Sequence, residues 1–317
     1  MKVLSLFDGI SGCRQALKEL NIDCEYYASE IDKYAIQVAK ANHPDIIHIG
    51  DVKGITKGDE MFFYFNNFDL LIGGSPCQDL SIAKKDRKGL QGDRSSLFYE
   101  YVRILNEVKP KYFILENVAS MSKESKNIIT KELFDIEPIM INSALLTAQN
   151  RKRLYWVGKL IGGEYKQVKI EQPKDQGIYL KDIIEEGVVD RDKSYCIDAN
   201  YHKGGNLKSY FEKGRRQLVF DKPIKIGHFN KGGQGDRVYS VNEKSVCLSA
   251  NGGGRGAKTG LYDIDKTVRK LTVNECCRLQ GFPDGYCDSV SKTQSYKGLG
   301  NSFTVPVIKH LIQSMIK

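Results

Sequence analysis

The first half of the chain alternates short apolar runs with stretches whose apolar residues recur at helical spacing. Lys2 to Phe7, Cys24 to Ala28, Ile46 to Ile49, Asp69 to Ile72 and Tyr112 to Leu115 are short and bounded by turn-forming or charged residues, as strands are. Between them, Cys13 to Leu20, Lys33 to Ala41 and Leu97 to Val108 carry apolar positions three and four apart. In the second of these, Ala35, Ile36, Val38 and Ala39 form the apolar set, and Lys33, Gln37 and Lys40 turn outward. Strand–helix alternation of this kind predicts an α/β fold, a mostly parallel sheet with helices on both faces. Such sheets bind ligands outside the carboxyl ends of their strands, so a motif directly after a strand lies at the site by geometry. Ile136 to Ile141 and Arg153 to Leu160 read as two further strands of the same sheet.

After Leu160 the pattern breaks at Ile161-Gly162-Gly163, and the next hundred residues hold short strand-like pieces between glycines. A small β-rich second domain over residues 162–268 fits this stretch better than more βαβ units. A helical pattern returns from Lys270, and the apolar run Val305 to Ile316 suits packing back onto the first domain, residues 1–161. A chain of 317 residues agrees with about two domains at roughly 150 residues each.

Charge changes the picture once it is located. The net charge is +9, from 48 basic and 39 acidic residues; residues 201–260 hold 12 basic and 4 acidic ones, a balance of +8, with 12 of the 30 glycines. A basic, glycine-rich segment inside a near-neutral protein points to a polyanion partner, most simply nucleic acid. A solvated loop region would have the same composition, so the motifs must decide. No apolar run approaches the ~20 residues of a membrane span, and Met1 to Asp8 reaches a charge too soon for a secretory leader. Eight cysteines without a Cys-x-x-Cys pair suggest reduced thiols in a cytoplasmic protein with no structural metal.

The strand ends carry the chemistry. The first strand runs into Phe7-Asp8-Gly9-Ile10-Ser11-Gly12, where glycines permit a tight turn and close backbone approach to a ligand. Glu30 follows the second strand, placed to accept from ribose hydroxyls, and Asp51 ends the third, where it could face an adenine amino group. The spacing is not Gly-x-Gly-x-x-Gly, which favours an adenosine-containing ligand without a pyrophosphate. The fourth strand leads to Gly73-Gly74-Ser75-Pro76-Cys77-Gln78, holding a cysteine on a strand-end loop where burial in the core is not the default. Its thiolate is a candidate nucleophile. The fifth ends in Glu116-Asn117-Val118, a carboxylic acid able to protonate a ring nitrogen. Gln149-Asn150-Arg151-Lys152-Arg153 adds three cations beside the seventh.

The order FDGISG, Glu30, Asp51, GGSPCQ, ENV, QNRKR, RKLTVNECCRLQGFP and GLGNSFTVPVI resembles the DNA (cytosine-5)-methyltransferases over nearly the whole chain outside about residues 162–268. SPCQDLSIA and the run from ENVASM to YWVG also look like the de novo vertebrate branch, whereas the length looks like a compact bacterial or phage enzyme. The resemblance implies a Rossmann-like sheet that binds S-adenosyl-L-methionine, with a small β-rich target-recognition domain at the basic segment. It places Phe7, Asp8, Gly9, Ile10, Ser11, Glu30, Ile31, Asp51, Val52, Pro76, Leu97, Asn301 and Ser302 around the cofactor. It assigns catalysis to Cys77, Glu116 and Arg151, with Arg151 at the cytosine O2 edge or the adjacent phosphate. Gln78, Ser81, Arg153, Lys208, Arg215, Arg216 and Arg237 would contact double-stranded DNA. It further implies a monomer with no metal, working beside a restriction endonuclease that acts on the same site, or in phage DNA protection.

Two readings compete. A tRNA cytosine-5 methyltransferase would carry Cys-Phe-Thr, and none of the eight cysteines is followed by Phe-Thr. A catalytically dead DNA-binding relative would lose the Pro-Cys pair, and this chain keeps Cys77 with Glu116 and Arg151.

Overall fold

Successive residues of the central strands point to opposite sides, and here both sides are apolar. Val3, Leu70, Ile72 and Ile114 are buried on one face; Leu4, Leu6, Leu71, Phe113 and Leu115 are buried on the other. A sheet covered on both faces requires this. The computed structural model describes residues 1–55, 67–75, 97–204, 207–220, 225–228, 237–239 and 268–316.

Among the described residues the main sheet has eight strands: β1 (Lys2–Leu6), β2 (Glu25–Ser29), β3 (Ile47–Gly50), β4 (Leu70–Gly74), β5 (Tyr112–Val118), β6 (Ile139–Asn142), β7 (Lys152–Ile161) and β8 (Glu164–Gln167). The order is β3-β2-β1-β4-β5-β7-β6, with β8 also on β7. The first five strands are mutually parallel where they pair, and β7 enters antiparallel beside β5. Helices α1 (Gly12–Glu19) and α2 (Lys33–Asn42) cover one face, and α3 (Leu97–Val108) and α4 (Lys123–Glu132) cover the other. In α2 only Val38 and Ala39 are fully buried, and Lys33, Gln37 and Lys40 are exposed.

Gly162 and Gly163 do not end the first domain. Both have positive φ, 61° and 87°, and form the hairpin turn that pairs Ile161 with Glu164. Beyond β8, Leu180, Ile183, Ile197 and Tyr201 belong to the same apolar core as α1. Residue 162, expected as a boundary, falls inside a hairpin, and these residues past it pack into the same core. A separate small cluster of Tyr210, Leu218 and Phe220 lies beside α5 (Leu207–Lys213), β9 (Leu218–Phe220) and β12 (Val268–Lys270). Strands β10 (Lys225–His228) and β11 (Arg237–Tyr239) form a two-stranded antiparallel pair.

The last segment comprises α6 (Val273–Gln280), α7 (Lys292–Asn301) and α8 (Val305–Ile316). Thr272 and Glu275 form a reciprocal capping box at the start of α6. Helix α8 packs on α1, with Lys309 Nζ 2.8 Å from Glu19.

Gly158 of β7 stands opposite Phe113 of β5. A Cβ at Gly158 would lie 2.2 Å from Phe113 Cε1 and 2.9 Å from Ile136 Cδ1. Gly158→Ala is expected to lower stability by about 1–3 kcal/mol through overpacking. A lower urea midpoint at unchanged secondary structure would show it; a parental midpoint would mean that Phe113 has room to move.

Candidate active site

The carboxyl ends of β1, β2, β4 and β5 and the start of β7 converge. After β1 the backbone enters the left-handed region at Phe7, Gly9 and Ser11, with φ of 57°, 59° and 61°. This winding brings the Gly9 N–H to Glu30 Oε2 at 2.8 Å, while Glu30 Oε1 accepts from Ile31 N and Asp32 N, each at 2.8 Å. One carboxylate thus joins the β1 loop to the start of α2. Among the described residues no heavy atom lies within 4 Å of where a Cβ would stand on Gly9 or Gly50. Ile31 is 72% exposed beside this opening, and Asp51 is exposed, accepting from Lys53 N. Carboxylates able to accept from hydroxyl or amino groups, an apolar side chain and open glycine backbone fit an adenosine group.

Several residues expected around that group are placed differently. The side chains of Asp8, Ile10 and Ser11 are buried: Ser11 Oγ donates to Asp8, Tyr26 Oη donates to Asp8 at 2.7 Å, and Ile10 packs against Gly298. These side chains shape the loop from within, and its backbone is the part that faces outward. Val52 is buried in the core behind the opening. Leu97 is half-buried at the start of α3; Asn301 is exposed, and the buried Ser302 donates to the Phe303 carbonyl at 2.9 Å. Pro76, Cys77, Gln78 and Ser81 lie outside the described residues.

The chain leading to Cys77 is nevertheless anchored. Gly74 pairs in register with Glu116, and Asn117 Nδ2 donates to Ser75 Oγ at 3.2 Å. A Cβ on Gly74 would meet Glu116 Oε2 at 3.0 Å and the Phe303 ring at 3.1 Å, so glycine lets both approach. The Glu116 carboxylate therefore stands over the strand end three residues before Cys77.

The cation beside Glu116 is Arg153, with Nε 2.8 Å from Oε1. Arg153 pairs in register with Val118, which makes it a diagonal neighbour of Glu116 on the same face. Arg151, expected at the base, is instead 3% exposed. Its guanidinium donates to the carbonyls of Ile197 at 3.1 Å, Gly300 at 3.2 Å and Ser302 at 2.8 Å. Arg151 thus ties segments together, and Arg153 is the guanidinium that meets Glu116. Only the antiparallel register of β5 and β7, which the QNRKR run does not encode, separates the two.

Of the residues assigned to DNA, Arg215 is half-exposed and pairs with Asp198 at 3.4 Å. Arg216 has φ 59° and turns one nitrogen to the Gly204 carbonyl at 2.7 Å. Lys208 falls on α5 and Arg237 on β11. Sequence reasoning missed the buried chain in which Gln149 Nε2 reaches Gln280 Oε1 at 3.3 Å and Thr304 Oγ1 donates to that same atom at 2.9 Å. Among the described residues no group of three or more His, Cys, Asp or Glu side chains is arranged to hold a metal, and no helix is long and apolar enough to cross a membrane.

The family described as C-5 cytosine-specific DNA methylase matches residues 1–317. The chain is 29% identical to the Type II methyltransferase M.HhaI of Haemophilus parahaemolyticus, covering 98% of this chain and 93% of that protein. It is 32% identical to the Type II methyltransferase M1.ScrFI of Lactococcus lactis subsp. cremoris, over 100% of this chain and 78% of the relative. The solved methyltransferase EhMeth of Entamoeba histolytica shares the fold, with a TM-score of 0.70 at 18% identity over 100% of this chain and 98% of that one.

Burial pushes the Asp8 carboxyl up from 3.8 to about 6, against the hydrogen bonds from Ser11 and Tyr26. Between these values the folded protein holds a proton that the unfolded chain has released, so stability falls as pH rises through the window. The contribution is fully present below about 4 and lost above about 6. Asp8→Asn should therefore gain on the parent by on the order of 2–3 kcal/mol between pH 4 and pH 7. Urea unfolding of both proteins across that range measures it; a constant difference would mean that Asp8 titrates normally in the fold.

Proposed function

The chain belongs to the C-5 cytosine-specific DNA methylase family, and from that premise we propose how its own residues bind and methylate cytosine in duplex DNA. It is a DNA (cytosine-5)-methyltransferase. The observation that carries the proposal is the Glu116–Arg153 pair above the strand end that leads to Cys77.

Cytosine C5 is too weak a nucleophile to attack a methylsulfonium unaided. In the proposed route the Cys77 thiolate adds to C6, forming a carbon–sulfur bond and moving the ring electron pair toward C5. Glu116 holds the proton at N3 that neutralises the ring as this happens. Arg153 keeps Glu116 oriented and faces the developing negative charge at the O2 edge. C5 accepts the methyl group; loss of the C5 proton to a base then restores the double bond and expels the Cys77 thiolate. The base must leave the duplex for these atoms to meet, so the enzyme flips it into the site.

S-adenosyl-L-methionine, which methyltransferases of this family and fold use, supplies the methyl group when bound. The residues proposed to hold it are Glu30, Asp51 and Ile31 with the open backbone at Gly9, and Asn301 and Ser302 from the C-terminal segment. Residues 201–260, with their +8 balance, are proposed to grip the phosphates while side chains there read the target sequence. The names of the Type II relatives support a role in protecting DNA from a restriction endonuclease of the same specificity, and the chain is proposed to act as a monomer.

Glu30→Ala should weaken S-adenosyl-L-methionine binding by about 1.5–3 kcal/mol, the scale of hydrogen bonds to a charged group. Calorimetric titration reads it directly, and unchanged affinity would remove Glu30 from the site. The chemical route is tested with 5-fluorocytosine in the target, which has no C5 proton to lose. Methyl transfer should then leave Cys77 covalently attached, in an adduct that survives denaturing electrophoresis. Cys77→Ser should abolish it, and Glu116→Gln should slow its formation severely. A trapped peptide that maps to any other residue overturns the proposed route.

A further inference from the structure

The residue after Ile31 is joined to the C-terminal segment by an ion pair. Lys297 Nζ of α7 stands 2.6 Å from Asp32 Oδ2, across 265 positions of sequence. Asp32 caps the start of α2, where its other oxygen accepts from Tyr34 N at 3.0 Å, so the carboxylate is fixed at the helix start. Its own N–H donates to Glu30 Oε1 at 2.8 Å, and Glu30 Oε2 accepts from Gly9 N at 2.8 Å. A chain of polar contacts thus runs from Lys297 through Asp32 and Glu30 to the backbone of the β1 loop.

The same turn of α7 also touches that loop directly. A Cβ on Gly298 would lie 2.8 Å from Ile10 Cγ2, so glycine lets the helix rest on the residue after Gly9. Asn301 ends α7 one turn beyond Lys297. Two further links join α2 to this part of the chain: Gln37 Nε2 donates to the Ser289 carbonyl, and Asn42 Nδ2 donates to the Tyr286 carbonyl at 2.8 Å. Of the three, the ion pair is the one next in sequence to Ile31.

Both partners keep access to water, the Lys297 side chain at 46% exposure and that of Asp32 at 29%. Burial works against charge on Asp32, yet Lys297 and the Tyr34 N–H hold its carboxyl below the usual range. A pair this exposed contributes little to the stability of the fold, and salt screens it. Its effect is local: it fixes the separation of two walls, the Glu30–Ile31 loop and the turn of α7 that ends in Asn301. Walls ordered before a ligand arrives lower the ordering cost of binding it.

We propose that Lys297 is a positioning residue for cofactor binding: through Asp32 it clasps the loop carrying Glu30 and Ile31 to α7, and so presets the width of the adenosine site. The inference rests on the placement of S-adenosyl-L-methionine proposed above. Asp32 is unsuited to the test, because its loss would also uncap α2. Lys297→Met keeps the length of the side chain without its charge, and Lys297→Arg restores the charge.

The test is calorimetric titration of the full chain with S-adenosyl-L-homocysteine, the product left after methyl transfer. Its ammonium and carboxylate cancel, so salt acts little on the ligand itself. At about 20 mM sodium chloride Lys297→Met should bind about three- to fivefold more weakly than the parent, and Lys297→Arg within about twofold of it. At about 1 M the parent should weaken to within about twofold of Lys297→Met, whose own affinity changes little. If Lys297→Met does not fold, Lys297→Gln replaces it. Parental affinity in the uncharged variant at low salt, a loss equally large at both salt concentrations, or no recovery with arginine would each overturn the proposal. Glu30→Ala, titrated alongside, separates the two levels: parental affinity there overturns the cofactor placement itself. A weakened Glu30→Ala beside a parental Lys297→Met overturns the role of Lys297 alone.

Discussion

One buried guanidinium holds the site together. Arg151 gathers the carbonyls of Ile197, Gly300 and Ser302, residues far apart in sequence, around a side chain with almost no exposure. Removing such a cation from water costs several kcal/mol, and the cost is met only if its donors are filled. The carbonyls that fill them belong to the last turn of α7 and to the irregular stretches at Ile197 and Ser302, so satisfying the charge also fixes how these segments meet. Contact is close because Gly300 has no side chain: a Cβ there would lie 2.3 Å from the Asp198 carbonyl carbon and 2.5 Å from Ala199 N. The buried Gln149–Gln280–Thr304 chain lies alongside and extends to Ser143, whose Oγ donates to Thr304 Oγ1 at 3.0 Å. Phe303 is thereby set against Gly74 and becomes one wall of the site.

This explains why the last residues of the chain matter to chemistry at the ends of the first strands. The sheet alone presents Glu30 and Glu116 on the rims of β2 and β5, open on one side. The returning segment supplies the missing side, and the hold on it is polar and directional. Apolar packing of α8 on α1 brings the segment back; the arginine and glutamine contacts decide its register.

The parallel core was legible in sequence because buried strands have a simple signature. Runs such as Val3-Leu4-Ser5-Leu6 and Leu70-Leu71-Ile72 are apolar on both sides, and each leads directly into a motif. Elements whose formation depends on capping were harder to see. Helix α4, KESKNIITKE, begins with Ser122 accepting from Ser125 N but buries only Ser125, Ile129 and Thr130, so its apolar period is faint. Helix α7, KTQSYKGLGN, contains two glycines and looks like loop until Tyr296 and Leu299 find the core. The hairpin at Gly162 looks like a linker because glycines at positive φ serve both purposes. At the site, residue types at strand ends were readable, whereas side-chain direction was not. Nothing in FDGISG tells that Asp8 points inward to Tyr26 and Ser11, and nothing in QNRKR tells which arginine meets Glu116.

Both guanidiniums at the sheet edge are already engaged, Arg151 by carbonyls and Arg153 by Glu116. A site built this way offers little uncompensated charge to draw a polyanion from solution, and free positive charge there would compete with Glu116 for its partner. In the proposed reading, long-range attraction comes from the +8 of residues 201–260 in a chain of +9 overall. Screening limits such attraction to about 10 Å at ordinary salt, so this segment must approach the duplex while the catalytic edge stays neutral enough to orient a single base. Separating the charge that binds from the charge that reacts lets each be set without disturbing the other.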